Sequence, residues 1–144
     1  MEINGVPLHP LVVHAAVVFG PLAALAALGY VALPAWRDRL RWPMLVLAVV
    51  ASGAIVTAYF TGLNLLETRP ELEQVAGVDT HKSRGTTLFW FTVPFAAVAV
   101  ASGLLHERTG AVRILLNVLL GLAALAVLGL VVATGDAGAR AVWG

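Results

Sequence analysis

Histidine carries most of the chemistry that this chain offers. There is no cysteine, which excludes structural disulfides, thiolate zinc sites, cysteine-ligated iron–sulfur clusters and covalent haem attachment through C-x-x-C-H. The four histidines are His9, His14, His81 and His106. His9 and His14 are five positions apart, about 140° around a helix, so they do not form the i, i+4 pair of metal-binding helices. His9 precedes Pro10. Proline favours the first helical position, so His9 reads as a cap or loop residue. His14 falls well inside an apolar run, where an ionisable side chain tends to mark function. His81 opens another such run, in Asp79-Thr80-His81-Lys82-Ser83-Arg84, with Asp79 or Thr80 as the N-cap. His106 lies beside Glu107 and Arg108 and reads as an ordinary loop residue. Each of the others also has a plainer reading: His14 as an interhelical hydrogen-bonding group, His9 and His81 as solvated interfacial residues.

The elements that must position these residues follow from where charge is missing. Of the 144 residues 60 % are hydrophobic and 12 % charged, against about 25 % charged in soluble domains. A chain this small with so few polar groups cannot cover its own surface, and it is far too apolar to be disordered. A formal net charge of +1 gives no sign of a nucleic-acid partner. Residues 3–36, 42–66, 85–106 and 114–135 contain no Asp, Glu, Lys or Arg. A spanning helix needs roughly 20 mostly apolar residues. Four spans are therefore expected, near 10–33, 43–66, 84–105 and 112–134, in a single membrane domain over 1–144. The runs are continuous and do not alternate, which favours helices over a barrel. The first run is longer than the apolar region of a signal peptide and lacks a positive leader, so it reads as a retained helix. The fold class is all-α: an integral membrane four-helix bundle.

Orientation follows from arginine and lysine in the loops. The first loop, Ala35–Trp42, holds Arg37, Arg39 and Arg41 against Asp38, and the third, Leu105–Arg113, holds Arg108 and Arg113 against Glu107. These two loops are expected on the cytoplasmic side, with both termini and the mixed second loop outside. Small residues four apart, which let helices approach closely, occur as Ala16, Gly20 and Ala24, as Ala54, Ala58 and Gly62, and as Ala97 with Ala101 and Ala99 with Gly103. The two halves also repeat weakly: histidine, helix, basic loop, helix, Thr-Gly. His14, Arg37 to Arg41 and Thr61-Gly62 correspond to His81, Arg108 to Arg113 and Thr134-Gly135. Two hairpins related by an axis along the membrane normal read this way, and they would set His14 opposite His81.

In this topology His9, His14 and His81 share the outer end, and His106 takes the other. Asn64, Thr134 and Asp136 gather at the same outer end. They are candidates to hold the second ring nitrogen of a ligating histidine, as metal-bound imidazoles require.

Pro7-Leu8-His9-Pro10-Leu11-Val12-Val13-His14 resembles the opening motif of a bacterial four-span membrane family catalogued as domain of unknown function 2231. The likeness covers the whole chain. The family's histidine at the head of span three is matched by His81, and its Gly-rich tail by Gly135 to Trp143. The chain departs at Ala15-Ala16, where relatives often have Phe-Pro, and at Asp136, where relatives often have histidine. The resemblance implies a multi-pass protein of the bacterial cytoplasmic membrane. Because members are sometimes joined to Rieske or cytochrome-type domains, it also implies a redox setting.

Three functional expectations result. The first is a b-type haem protein, with His14 and His81 (or His9 in place of His14) as axial ligands and Arg84 at a propionate. It would carry electrons between the quinone pool and an outward-facing redox protein. The second is a zinc or copper site or transport element built from His9, His14 and His81 with Asp136. The third is a ligand-free accessory subunit of a homo-oligomer or larger membrane complex, with the histidines as interhelical contacts. No serine, histidine and acid set with hydrolase spacing is present, and an electron carrier or subunit is favoured over a stand-alone enzyme.

Overall fold

The computed structural model describes every residue, Met1–Gly144. Four helices follow one another in an up-down order: α1 (Leu8–Ala32), α2 (Arg37–Thr68), α3 (Val78–Leu104) and α4 (Gly110–Trp143). A short hairpin, β1 (Glu2–Ile3) with β2 (Val6–Pro7), precedes them. Its turn is Asn4-Gly5, both at positive φ, the pairing that a tight two-residue hairpin turn demands. The hairpin folds back onto the end of α2. The Met1 ammonium donates to Asn64 Oδ1 at 2.6 Å, and Arg69 pairs with Glu2 at 3.2 Å.

Each of the four helices is long and apolar enough to cross a bilayer. They form a four-sided bundle in which α1 packs on α2 and α4, and α3 packs on α4 and α2. Only 27 of the 144 residues are buried. A water-soluble bundle could not leave residues such as Val18, Leu25, Leu115, Leu122 and Val132 more than half exposed along its sides. A bilayer solvates such a surface, and it shows which phase the fold is built for.

The interior is correspondingly lean. Ala23, Ala24, Ala27, Ala48, Ala99 and Ala124 are fully buried. Lipid tails are as apolar as leucine, so close backbone packing replaces hydrophobic burial as the force between helices. Two glycines set the closest approaches. A Cβ on Gly20 would lie 2.9 Å from Val131 Cγ2, and one on Gly103 would lie 2.9 Å from Leu45 Cδ1. Of the expected small-residue rows, Ala16–Gly20–Ala24 and Ala99–Gly103 face inward, while Ala97 faces out.

The helices extend past the expected spans. α2 starts at Arg37 and continues to Thr68, and α4 runs nine residues beyond 134 to Trp143. Charged side chains at these ends are satisfied by interfacial water, so helix and uncharged run need not coincide. α1 begins at Leu8, two residues before Pro10. Proline is tolerated throughout a first turn, because those N–H groups have no intrahelical acceptor.

Candidate functional site

The early start of α1 makes His9 a helical residue. The ring is half-buried and faces across to α2, where Nδ1 lies 2.9 Å from the carbonyl oxygen of Ala58. A carbonyl only accepts, so Nδ1 carries the proton, and in the neutral ring Nε2 carries the lone pair. Gly62, one turn beyond Ala58, makes the approach possible. A Cβ there would lie 3.0 Å from His9 Cε1 and 3.1 Å from Nδ1.

The second hairpin repeats the device. His81, in the first turn of α3, places Nδ1 3.0 Å from the carbonyl oxygen of Thr134 in α4. Gly138, again one turn further, would bring a Cβ 3.0 Å from both Cε1 and Nδ1 of His81. The two halves therefore correspond as His9 with His81, Ala58 with Thr134, and Gly62 with Gly138. This corrects the register read from the sequence, which matched His14 to His81 and Thr61-Gly62 to Thr134-Gly135.

The two imidazoles meet on the diagonal of the bundle, with ring centroids 6.0 Å apart and planes inclined at 66°. They line a half-open cavity of about 70 Å³, bounded also by Ile55, Tyr59, Leu88 and Val131. Neither Nε2 has a protein hydrogen-bond partner. No third His, Cys, Asp or Glu joins them.

The remaining candidates fall elsewhere. His14 is exposed on the side of α1, and its Nδ1 bonds the Pro10 carbonyl of its own helix at 2.6 Å. It does not line the cavity. The cause is the 140° offset itself: with His9 turned inward, His14 must turn out. Asn64 holds the Met1 ammonium, and Asp136 pairs with Arg140 one turn on, so neither supports an imidazole. Thr134 does support one, through its backbone carbonyl, while its own hydroxyl is buried without a partner. Arg84 Nη1 donates to the Ala133 carbonyl at 2.8 Å, a clasp between α3 and α4 beside the His81 contact.

The opposite end holds a network that sequence reasoning missed. Tyr30, fully buried, accepts from Arg37 Nη2 at 3.0 Å, and its hydroxyl lies 2.9 Å from His106 Nδ1 and 3.1 Å from the Ser102 carbonyl. His106 Nε2 lies 2.9 Å from Asp38 Oδ1. The carboxylate accepts from Nε2–H, the Tyr30 hydroxyl donates to the Ser102 carbonyl, and His106 Nδ1 shares that hydroxyl. The contacts link Arg37, Tyr30, His106 and Asp38 in one chain. His106 is thus a buried connector between the two hairpins and not an ordinary loop residue. No local signal marks it, because its partners lie far away in the chain.

Four apolar helices with a polar pair at one end and a polar network at the other define a multi-pass helical membrane protein. More narrowly, the chain belongs to the family described as predicted membrane protein (DUF2231), whose model matches residues 5–144. No curated protein and no solved structure matches the chain.

Proposed function

We propose that this membrane protein holds a redox metal centre between His9 and His81 and passes electrons through it. The observation that supports this reading is the pair of imidazoles 6.0 Å apart, each fixed through Nδ1 on a helix carbonyl with Nε2 unused. Ligating histidines are held in this way, the second nitrogen fixing tautomer and ring orientation. Two imidazoles on opposite sides of an ion, at metal–nitrogen distances of about 2.0–2.1 Å, bring ring centroids to a spacing of roughly 6 Å.

The donor count narrows the metal. Zinc sites draw three or four ligands from the protein, and this site supplies two. Two neutral imidazoles suffice for a low-coordinate copper(I) ion, or for haem iron, whose macrocycle supplies the other four donors. Both are redox centres. The cavity favours the ion. At about 70 Å³ it accommodates a metal with a water, whose share of volume is about 30 Å³, but cofactor pockets run to about 300–1,000 Å³. Haem b, the reading that the sequence put first, keeps the same two donors. It would need α1 and α3 to part, and Arg84, engaged on Ala133, to turn toward a propionate. A quinone and an outward-facing redox protein are the exchange partners that a centre at this end of a cytoplasmic-membrane protein would use.

The test is protein purified in mild detergent from cells supplied with copper and haem. It is analysed for metals and scanned from 300 nm upward (about the imidazole–metal charge-transfer range and the Soret region), oxidised and then dithionite-reduced. About one copper per chain without a Soret band is expected. That metal should be lost in His9→Ala and in His81→Ala and kept in His14→Ala. A Soret band that shifts on reduction would replace the ion by haem. Protein free of both would sink the reading and leave the pair as clamps within each hairpin, the role of a ligand-free subunit.

A further inference from the structure

The end of the bundle away from the histidine pair carries five arginines: Arg37, Arg39 and Arg41 at the start of α2, Arg108 in the α3–α4 turn, and Arg113 in the first turn of α4. Two carboxylates share that end, Asp38 and Glu107. Asp38 is engaged by His106. None of the five arginines has a carboxylate within 4.0 Å. At the histidine end the pattern is reversed, with Arg69 on Glu2, Lys82 on Glu73 and Arg140 on Asp136. Uncompensated positive charge is therefore concentrated at one end.

Arg37 shows how strongly that end lacks anions. Its side chain is 8 % exposed, Nη2 is on the Tyr30 hydroxyl, and the buried Nε has no partner. Proteins bury a charge only with compensation; here it comes from the Tyr30 ring, 4.5 Å from the guanidinium carbon, and from Asp38 through Tyr30 and His106, with no carboxylate in direct contact. Arg39 and Arg41 lie over the rings of Trp36 and Trp42, 5.3 and 5.1 Å from the centroids. Both indoles are exposed, at 53 % and 60 %. Tryptophan on a spanning helix marks headgroup level, so the two guanidinium groups lie at the depth of lipid phosphates.

We propose that this end binds the phosphate of an anionic phospholipid, with Arg39 and Arg41 as the direct contacts and Trp36 and Trp42 against the glycerol region. The basis is charge complementarity: excess cations, no internal carboxylates to take them, and interfacial depth fixed by the indoles. Guanidinium offers the phosphate paired N–H donors. Each arginine near an anionic surface contributes about fivefold in affinity.

Tryptophan quenching by brominated lipid tests this. In the full chain carrying Trp90→Phe and Trp143→Phe, Trp36 and Trp42 are the only reporters. The protein is reconstituted in phosphatidylcholine vesicles with a minor fraction of brominated phosphatidylglycerol or brominated phosphatidylcholine. The anionic quencher should be enriched at the indoles on the order of tenfold, and adding Arg39→Gln with Arg41→Gln should make the two quenchers equal. Arg41 also donates Nε to the Gly103 carbonyl at 3.0 Å, whereas Arg39 is exposed, so Arg39→Gln alone, which leaves that clasp in place, should also lower the preference. Equal quenching in the parent overturns the proposal, as does a preference unchanged by the double variant. A preference removed by inorganic phosphate, and not by chloride at the same ionic strength, would assign the site to a free anion and overturn the lipid.

Discussion

The two ends of the bundle use histidine in opposite ways. At one end, His9 and His81 each spend one nitrogen on a helix carbonyl within their own hairpin and keep the other unused. The arrangement is repeated, and the two copies face each other. At the other end, both nitrogens of His106 are taken, by Tyr30 and by Asp38. That network occurs once and joins the hairpins. Carrying the His9–His81 register along the helices sets Tyr30 opposite Ser102, which has no ring to offer and contributes only its carbonyl. A network that fills both nitrogens of its imidazole stabilises, because a buried group in it would be costly if left alone. An imidazole with a free, oriented lone pair does little for stability and is suited to hold something. The same residue type thus reads as a connector or as a ligand according to its second nitrogen.

Glycine substitution tests that contrast most severely. Ala at Gly62 or Gly138 puts a Cβ 3.0 Å from an imidazole, and the ring must shift by a few tenths of an ångström, which strains its bond to the carbonyl. Loss of such a support weakens metal binding by about 10–100-fold. Each variant is expected to show a weakening of up to this size in a competition titration against a chelator. Gly53→Ala is the control on the same helix, since its Cβ would meet nothing within 4 Å. It should leave metal binding unchanged and raise stability by up to about 1 kcal/mol. Equal metal affinity in all three variants would remove the glycines from the site and leave them as packing residues.

Tyr30→Phe addresses the other end. It leaves Arg37 Nη2 and His106 Nδ1 buried without the hydroxyl. Each unsatisfied group costs about 1–3 kcal/mol, so a loss on that order is expected in detergent-based unfolding. Metal binding at His9 and His81 should be unaffected. A variant that keeps its stability and loses metal would erase the distinction between the two ends.

Charge placement was enough to read the fold. The uncharged runs become the four helices, since a bilayer admits few charges and no unpaired backbone. The site was half legible. His81 was placed correctly at the head of α3. The sequence reads His9 as a cap or loop residue because proline favours the first helical position. The sequence nevertheless held the correcting signal. His9 lies seven, eleven and eighteen residues before Ala16, Gly20 and Ala27, which sets it on the small-residue face at about 100° per residue. Those residues prove to be the buried side of α1. His14 lies about 160° from Ala16 by the same geometry. The Tyr30 network was not legible, because nothing in the sequence near His106 refers to residues in α1 and α2.

His14 supplies the smallest expected effect and the finest cut between spatial and sequence-level reasoning. By sequence it is the histidine most deeply set in an apolar run. In the structure its ring is exposed, and its one contact is with the carbonyl of its own first turn. That bond is local and exposed, and losing it changes little. His14→Ala should alter stability by no more than about 0.5 kcal/mol and leave metal content at the parental level. If metal were instead lost in this variant and kept in His9→Ala, α1 would have to be rotated by about 140°. Its small-residue face would then turn away from Val131, which Gly20 meets so closely that a Cβ would lie at 2.9 Å. The histidine that binds and the face that packs are therefore one question, and metal analysis of two alanine variants answers both.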